Sequence, residues 1–276
     1  MNTPFPLSKR FFLDPELGKI VAHVQEAHKV HFDFVYRLSE LAHEALFDAK
    51  VIKTDLQQLL LASLQHKALT SFQAVVLLGE RGLPSETRVV LRTLLEVTFR
   101  IVAIAKDKNV GRAYVLEDEL HRKKFISKYK MLSDEIRNKV TEEVLSDLKS
   151  TIEQNIKDKD IKELKTQWFA QRADMMDFYN TAYAVLSDSV HVNVRNLESA
   201  LELNESGDIV RLRYGPNDED LETHLLTASE ALLLSLHAVY SVIDTEFDKQ
   251  LNSMYEELKA LRRRHDQTLC LPEDRS

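Results

Sequence analysis

Long stretches of this sequence repeat apolar residues with the period of an α-helix, and little interrupts them. Glycine and proline occur only six times each in 276 residues, which argues against a β-protein with many tight turns. Apolar residues make up 44% of the chain, enough for a large core, and the 29% of charged residues predict a well-solvated surface. We therefore predict an all-α fold, a multi-helix bundle with few connections.

Start and stop signals divide the chain into helices. Asp-Pro-Glu at 14–16 is typical of an N-cap followed by a proline in the first turn. Thr54 and Gln57 have the spacing of a capping box, and Pro84 starts a further helix. The predicted helices span about 14–47, 55–79, 84–106, 110–131 and 133–157, followed by a stretch that is broken near 166–172 and by a final long helix over 217–264.

One short segment has a different pattern. Residues 200–214 alternate apolar and polar side chains on either side of Ser206-Gly207, which predicts a small β-hairpin. We expect an extended N-terminal arm over 1–13, a single helical domain over 14–265 and a flexible C-terminal tail over 266–276. The length of the final helix predicts a homodimer that is built by helix packing.

The composition indicates a cytoplasmic protein. The single cysteine, Cys270, excludes an internal disulfide framework and fits a reducing compartment. No segment has the apolar length of a signal peptide or of a membrane span. The net charge of −7 gives no overall attraction to nucleic acid. We expect a protein of the cytoplasm that binds no membrane and no cofactor.

Two rows of polar side chains run along apolar helices at four-residue spacing. They consist of Arg88, Arg92, Glu96 and Arg100 in the first row and of Tyr183, Ser187, His191 and Arg195 in the second. Residues at this spacing lie nearly above one another on one helix face. Because an unpaired buried charge is costly, such side chains need partners in an apolar helix. The two rows therefore mark the candidate site.

Each row has a structural and a functional interpretation. Glu96 either forms a salt-bridge ladder with Arg92 that fixes helix register, or it holds the guanidinium of Arg92 toward a phosphate or carboxylate. His191 is either a structural residue near a helix end or an acid–base group, because histidine titrates near neutral pH. The sequence leaves both interpretations open.

The segments LRTLLEV at 91–97 and YAVLSDSVH at 183–191 resemble the domain-of-unknown-function 5677 family of bacterial helical proteins. Members of that family combine an Arg-x-x-x-Glu helix with a Tyr-x-x-x-Ser-x-x-x-His segment. The motif positions in this chain are Arg92, Glu96, Tyr183, Ser187 and His191. The resemblance implies a helical fold and supplies no established reaction.

A more distant similarity is to the HEPN superfamily, which includes metal-independent ribonucleases of bacterial toxins and antiviral systems. Those enzymes carry an arginine and a histidine with four to six residues between them. Arg37 and His43 have this spacing, but chance produces such a match in a chain with this many arginines and histidines. A HEPN-like enzyme would instead use Arg92 on the phosphate and His191 as the acid–base group, with the other motif residues orienting the arginine and the substrate.

Two classes of function follow from these observations. The first is a helical interaction or sensor module, whose polar residues fix the core or bind a small anion. The second is a HEPN-like ribonuclease or toxin of anti-phage defence, which would have RNA as a partner. The other expected partners are a second copy of the chain and another protein. Exposure distinguishes them, because an enzyme needs Arg92 and His191 together in a cleft that solvent reaches.

A metal centre has little support in the sequence. Glu40 and His43 have the spacing of a ligand pair in di-iron helical bundles, which need a second such pair and two more glutamates. The nearest companions, Asp118 and His121, lie in a charged segment that is typical of a solvated helix. We predict no metal site.

Two further groups of residues are interpreted as surface features. His23, His28 and His31 lack a matched set of carboxylates, which favours surface or boundary histidines. The basic segment 121–130 carries aromatic residues between its charges, a pattern found in nucleic-acid contacts and also in solvated helices. A second basic segment, 262–264, ends the final predicted helix and complements its dipole.

Overall fold

The structure, a computed structural model, describes residues 11–129, 131, 142–188, 201–204, 206–212, 215–244 and 246–269. The helices in these ranges are α1 (Leu17–Ala27), α2 (Lys29–Asp48), α3 (Leu56–Gly79), α4 (Pro84–Lys106), α5 (Lys108–Tyr129), α6 (Glu142–Asp158), α7 (Thr166–Arg172), α8 (Met176–Phe178), α9 (Ala184–Asp188), α10 (Leu221–Tyr240) and α11 (Asp248–Leu269). The strands are β1 (Leu201–Leu203) and β2 (Ile209–Leu212). The predicted all-α bundle with one small hairpin is confirmed.

The central helix of the bundle is α10. Fourteen of its twenty residues are buried, so it is covered on nearly every side, as a helix in the middle of a core is. It packs against α3 and α4, which also pack against each other, and it contacts α2 and α11. These three central helices form the frame to which the other elements attach.

Small hydroxyl residues join α4 to α10 inside the core. Thr98 and Ser235 are both fully buried. The hydroxyl of Ser235 donates to the carbonyl of Ala231 at 2.8 Å and lies 3.1 Å from the hydroxyl of Thr98. Thr98 in turn lies 3.2 Å from the same carbonyl, across the helix interface. The buried hydroxyls therefore have partners, as buried polar groups require.

The helix that carries the first polar row has the predicted boundaries. α4 begins at Pro84, a position where the missing N–H of proline costs no hydrogen bond. It ends at Lys106, a basic residue in the last turn. Its buried face contains Leu91, Leu94 and Leu95, so the polar row runs along the flank of a strongly anchored helix.

The first predicted helix, over 14–47, is wrong because the chain forms two helices there. α1 ends at Ala27 and α2 begins at Lys29, and between them His28 has a non-helical backbone (φ −112°, ψ 29°). Glu222 and Asp218 bind the side chain of His28. These partners lie about 190 positions away in the chain, so apolar periodicity does not reveal the break.

The start of α3 differs from the predicted capping box. Asp55, not Thr54, is the N-cap, and its carboxylate accepts from the backbone N–H groups of Gln57 and Gln58 at 2.8 and 3.2 Å. The amide of Gln57 instead donates to the carbonyl of Ile104 at 2.7 Å. This bond satisfies an otherwise orphan carbonyl at the end of α4 and ties the two helices together.

The final predicted helix, over 217–264, is wrong because it is an antiparallel pair. α10 ends at Tyr240, α11 begins at Asp248, and α11 continues to Leu269. The turn folds α11 back onto α10, and this burial stabilises by about 1.5–3 kcal/mol for each large apolar side chain. The side chains buried in this way are Leu251, Met254, Leu258 and Leu261.

The break predicted near 166–172 lies a few residues later. Residues 166–172 form α7, and the chain turns at 173–175, where Asp174 has a φ of 57°. A π-helical turn over Tyr179–Tyr183 then joins α8 to α9. Single π turns occur frequently at functional sites, and the apolar pattern does not reveal the extra residue.

The charged helix pair is close to its prediction. α5 covers Lys108–Tyr129, against an expected 110–131, and α6 ends at Asp158, next to the expected 157. α5 packs on α6 and also on α3 and α4. The predicted start of α6, at 133, lies outside the described residues.

The hairpin has the predicted place, and its register contains one irregularity between Glu202 and Leu203. β1 pairs antiparallel with β2, with Leu201 opposite Leu212 and Glu202 opposite Arg211. Asn204 closes the turn by accepting from the backbone N–H groups of Ser206 and Asp208 at 3.0 and 2.8 Å. Among the described helices, none combines the length and the apolar character that a membrane-spanning segment needs.

Candidate functional site

Four of the predicted site residues meet between α4 and the π turn with α9. We call Arg92, Glu96, Tyr183 and Ser187 the polar cluster. Arg92 and Glu96 are one helical turn apart on α4, while Tyr183 ends the π turn and Ser187 lies on α9. The two rows that the spacing singled out therefore face each other across a helix interface.

Arg92 is held by three side chains. Its Nη2 donates to the hydroxyl of Tyr183 at 2.8 Å and lies 2.9 Å from Oε1 of Glu96. Its Nε donates to the hydroxyl of Ser187 at 3.3 Å. Since the guanidinium is a rigid planar fork, these contacts fix its orientation as well as its position.

Tyr183 closes the network. Its hydroxyl donates to Oε1 of Glu96 at 2.8 Å while it accepts from Arg92. Burial and then the hydrogen bond to Glu96 raise the pKa of the Tyr183 hydroxyl above its ordinary value, although Thr166 and Arg92 oppose this shift. The hydroxyl thus keeps its proton at neutral pH and remains a donor to the carboxylate.

Aromatic rings pack against one side of the polar cluster. The ring of Tyr183 stacks on that of Tyr179, with centres 5.0 Å apart, and meets Phe99 edge-on at 5.8 Å. The guanidinium carbon of Arg92 lies 5.0 Å from the centre of the Tyr183 ring. These contacts exclude water from one side of the cluster, which strengthens its hydrogen bonds.

The polar cluster is half-buried, not sealed. The side chain of Arg92 is 26% exposed and that of Glu96 is 22% exposed. Among the described residues, Nη1 of Arg92 has no hydrogen-bond partner. The Arg92 side chain is therefore partly open to solvent, and the described residues leave its Nη1 donors unused.

The other arginines of the α4 row have their own partners. Arg100 donates to the backbone carbonyl of Glu96 at 2.9 Å, and its guanidinium lies 5.0 Å from the centre of the Phe169 ring. Arg88 lies 3.3 Å from Asp220, in the loop before α10. Arg92 is thus the member of the row whose charge lies at the centre of the cluster.

Two predicted residues of the second row are not placed. His191 and Arg195 lie outside the described residues. Ser187, four positions before His191 in the sequence, contacts Arg92.

The basic segment of α5 is largely neutralised. Arg122 pairs with Asp118 at 2.7 Å on the same helix. Lys123 pairs with Glu153 of α6 at 3.2 Å. Lys124 pairs with Glu163, in the segment between α6 and α7, at 2.6 Å. Because these charges are compensated, the segment offers a weaker field to nucleic acid than its sequence suggests.

The pairs with the spacing of metal ligands are Glu40 with His43 and Asp118 with His121. Asp118 is engaged by Arg122, and His43 lies with its ring centre 4.6 Å from that of Phe47. In the part of the chain that the structure describes, no three His, Cys, Asp or Glu side chains are arranged to hold a metal ion.

The sequence analysis missed one group of titratable side chains. His28, His31 and His265 gather around Glu222, although they were interpreted as boundary residues or as part of a helix end. The three-residue spacing of His28 and His31 was the available signal. Their carboxylate partner lies far along the chain and gave none.

Comparison with known proteins identifies one family. The model of a family of unknown function (DUF5677) matches residues 58–209, more than half of the chain. The matched range contains most of α3, all of α4 and the second polar row, and so every motif residue that the sequence singled out. No curated protein and no solved structure matches the chain.

Proposed function

We propose that this chain, which belongs to a family of unknown function (DUF5677), is a helical interaction or sensor module. The module binds a small anion at Arg92. The anion is a phosphate or a carboxylate, the groups that match the planar fork of arginine. Glu96, Tyr183 and Ser187 hold the arginine in place, so little conformational freedom is lost when the anion binds.

The Nη1 donors of the partly exposed Arg92 side chain carry this proposal. Three side chains hold its Nε and Nη2, and Nη1 is without a hydrogen-bond partner among the described residues. A purely structural ion pair is better served by an arginine with all of its donors engaged, because an unmade hydrogen bond is costly in a half-buried place.

The local charge agrees with an anionic ligand. Among the described residues Glu96 pairs with both Arg92 and Arg100, and these three side chains together carry one positive charge in excess. Arg88 is paired with Asp220 and adds little. An anion that meets Nη1 of Arg92 therefore completes the charge balance.

Thermal unfolding with added phosphate tests the proposal. We expect inorganic phosphate, at ionic strength matched with chloride, to raise the Tm of the wild type, since a ligand of the folded state stabilises it. Arg92→Lys keeps the charge beside Glu96 but loses the fork, and we expect it to lose most of that increase. Arg122→Ala, on an exposed arginine that also has a carboxylate four positions away, is the matched control and should respond like the wild type.

Two results of this experiment decide the matter. A phosphate response that requires Arg92 and not Arg122 supports the binding module. An equal response of the wild type and of Arg92→Lys contradicts it, because phosphate then acts through general salt effects.

A second candidate function is a HEPN-like metal-independent ribonuclease of anti-phage defence. One observation favours it: Arg92 contacts Ser187, which lies four positions before His191 in the sequence. In this function Arg92 neutralises the phosphate and His191 acts as the acid–base group. Purified protein is mixed with labelled RNA in the presence of a metal chelator. Cleavage by the wild type that His191→Ala lacks, at an unchanged Tm, supports the enzyme, and no cleavage by either supports the binding module.

We also propose that the protein is a homodimer of the cytoplasm. Leu203, Ile209 and Leu212 are exposed on the hairpin, and a two-stranded sheet has unpaired edges to which a second copy can add. A single cysteine in 276 residues fits a reducing compartment. Light scattering should give twice the chain mass of 31.8 kDa for the wild type and less for Ile209→Lys, whereas a monomeric wild type contradicts the dimer.

A further inference from the structure

Three histidines and two carboxylates meet where the N-terminal and C-terminal helices touch. We call His28, His31, His265, Asp218 and Glu222 the histidine cluster. Glu222 is at its centre: one carboxylate oxygen lies 2.8 Å from Nδ1 of His28 and 3.4 Å from Nδ1 of His31. The other oxygen lies 3.1 Å from Nδ1 of His265.

The histidine cluster joins four parts of the fold. His28 is the break between α1 and α2, and His31 lies in the first turn of α2. Asp218 and Glu222 belong to the loop before α10 and to its first turn, and His265 lies near the end of α11. All of these positions, and α10 itself, fall outside the matched family range of 58–209.

His28 requires a proton to make both of its contacts. Its Nδ1 faces Glu222 at 2.8 Å and its Nε2 faces Asp218 at 3.2 Å. A carboxylate only accepts hydrogen bonds, and a neutral imidazole has a single N–H. Both bonds exist together only when the ring is the doubly protonated imidazolium.

We propose that the histidine cluster is a proton-dependent clasp that fastens α1–α2 and α11 to the start of α10. With His28 protonated, the ring bridges Asp218 and Glu222, and Glu222 also holds His265. When His28 loses its proton, one of the two carboxylates loses its donor and two negative charges face each other across a neutral ring. The contact between the terminal helices and the core then weakens.

The titration of His28 agrees with this arrangement. Burial lowers the pKa of His28, but the hydrogen bonds and charges of Glu222 and Asp218 outweigh burial and raise it above the ordinary 6.5. Its contribution to stability is therefore complete below pH 6.5 and is lost as the pH rises through the higher folded-state pKa. The clasp loosens on the alkaline side of pH 6.5.

The neighbouring groups set the acid limit of the clasp. Burial lowers the pKa of His31, and the charges of His265 and His28 add to this effect against Glu222. The imidazolium form of His31 is therefore disfavoured in the folded chain. Because the unfolded chain takes up this proton more readily, His31 destabilises the fold as the pH falls below 6.5. Burial would raise the pKa of Glu222, but the three histidines lower it, so the central carboxylate stays charged over this whole range.

The clasp lies next to the polar row of α4. Asp218 belongs to the histidine cluster, while Asp220, two positions later, pairs with Arg88 at 3.3 Å. Arg88 is one helical turn before Arg92 on α4. The loop before α10 thus contacts both groups of charges. The contacts of the clasp do not require an anion at Arg92.

Histidine NMR and chemical unfolding test the clasp together. In the intact chain we expect the ring of His28, assigned by the signal that His28→Gln removes, to titrate above the ordinary histidine pKa of 6.5. Between pH 6.5 and 8.5 the unfolding equilibrium constant of the wild type should rise relative to that of His28→Gln, by at most about tenfold per pH unit for one proton. His23→Gln is the matched control, an exposed histidine of α1, and should retain the wild-type slope.

Amide hydrogen exchange locates the effect. After correction for the intrinsic dependence on pH, we expect α1 and α11 to lose protection between pH 6.5 and 8.5 while α3 and α4 keep theirs. Asp218→Asn removes one charged partner without changing the histidine, and it should lower the pH at which His28 titrates. This variant decides the matter if His28→Gln does not fold.

Two findings would overturn the clasp. One is a His28 ring that titrates at or below pH 6.5, the ordinary pKa of histidine. The other is a stability slope, or an exchange pattern of α11, that is the same in the wild type and in His28→Gln.

Discussion

At the scale of single residues, Tyr183 is the side chain through which α4 and the π turn exchange hydrogen bonds. Its hydroxyl accepts from Arg92 and donates to Glu96 at 2.8 Å each. Spacing along the sequence predicted the pairing of Arg92 with Glu96, because both lie on one helix. It did not predict that Tyr183 would join them, since nothing in a periodic pattern says which helices become neighbours.

We expect Tyr183→Phe to lower the free energy of unfolding by about 2 kcal/mol. The change removes a partner from two charged groups in a half-buried place, which costs more than an ordinary neutral hydrogen bond. Urea unfolding measures the loss. Tyr179→Phe is the matched control, because its ring stacks on Tyr183 while its hydroxyl has no hydrogen bond within the described ranges, and it should cost less than about 0.5 kcal/mol. Equal losses would show that the hydroxyl of Tyr183 is not held as described.

At the scale of helices, the sequence predicted best where a local signal decides a boundary. Pro84 fixes the start of α4, and both ends of that helix agree with the prediction. The breaks at His28 and after Tyr240 were missed. Each depends on contacts with distant parts of the chain, namely the carboxylates of the histidine cluster and the face of α10 that α11 covers. Periodicity reports that residues are helical, and it does not report where a helix folds back.

The cap of α3 gives a test of this lesson. We expect Asp55→Ala to cost about 1 kcal/mol, since its carboxylate satisfies two of the N–H groups at the start of the helix. Thr54→Ala, one position earlier at an exposed site, should cost almost nothing. Denaturant unfolding of the two variants compares them. A larger loss for Thr54→Ala would instead support the capping box that the sequence suggested.

At the scale of the whole molecule, the fold depends on close contacts between segments that are far apart in sequence. The turn after α3 meets the loop before α10, where the backbone N–H of Asn217 donates to the carbonyl of Gly82 at 3.0 Å. The histidine cluster closes the same side of the bundle with partners about 190 positions apart. Such contacts combine residue types that are common on protein surfaces, which is why sequence alone interpreted His28 and His31 as boundary residues.

Gly82 tests the contact at this scale. It has a φ of 69°, and a Cβ there would lie 2.6 Å from the backbone nitrogen of Asn217. We expect Gly82→Ala to cost about 3 kcal/mol or more, from backbone strain and overpacking together. Gly207→Ala is the matched control, with a φ of 83° but open space around its Cβ, and it should cost about 1–2 kcal/mol. Similar losses in the two variants would mean that the loop yields and that the contact is not tight.

The central claim is that Arg92 offers a pre-oriented edge to an anion, and NMR of the arginine Nε–H groups tests it most directly. The Arg92 signal is assigned by its absence in Arg92→Lys, and inorganic phosphate is then titrated into the wild type at constant ionic strength. The account predicts a saturable shift of the Arg92 signal while the Arg122 signal stays in place. An Arg92 signal that does not move, or that moves only in parallel with the signals of exposed arginines, would contradict the account.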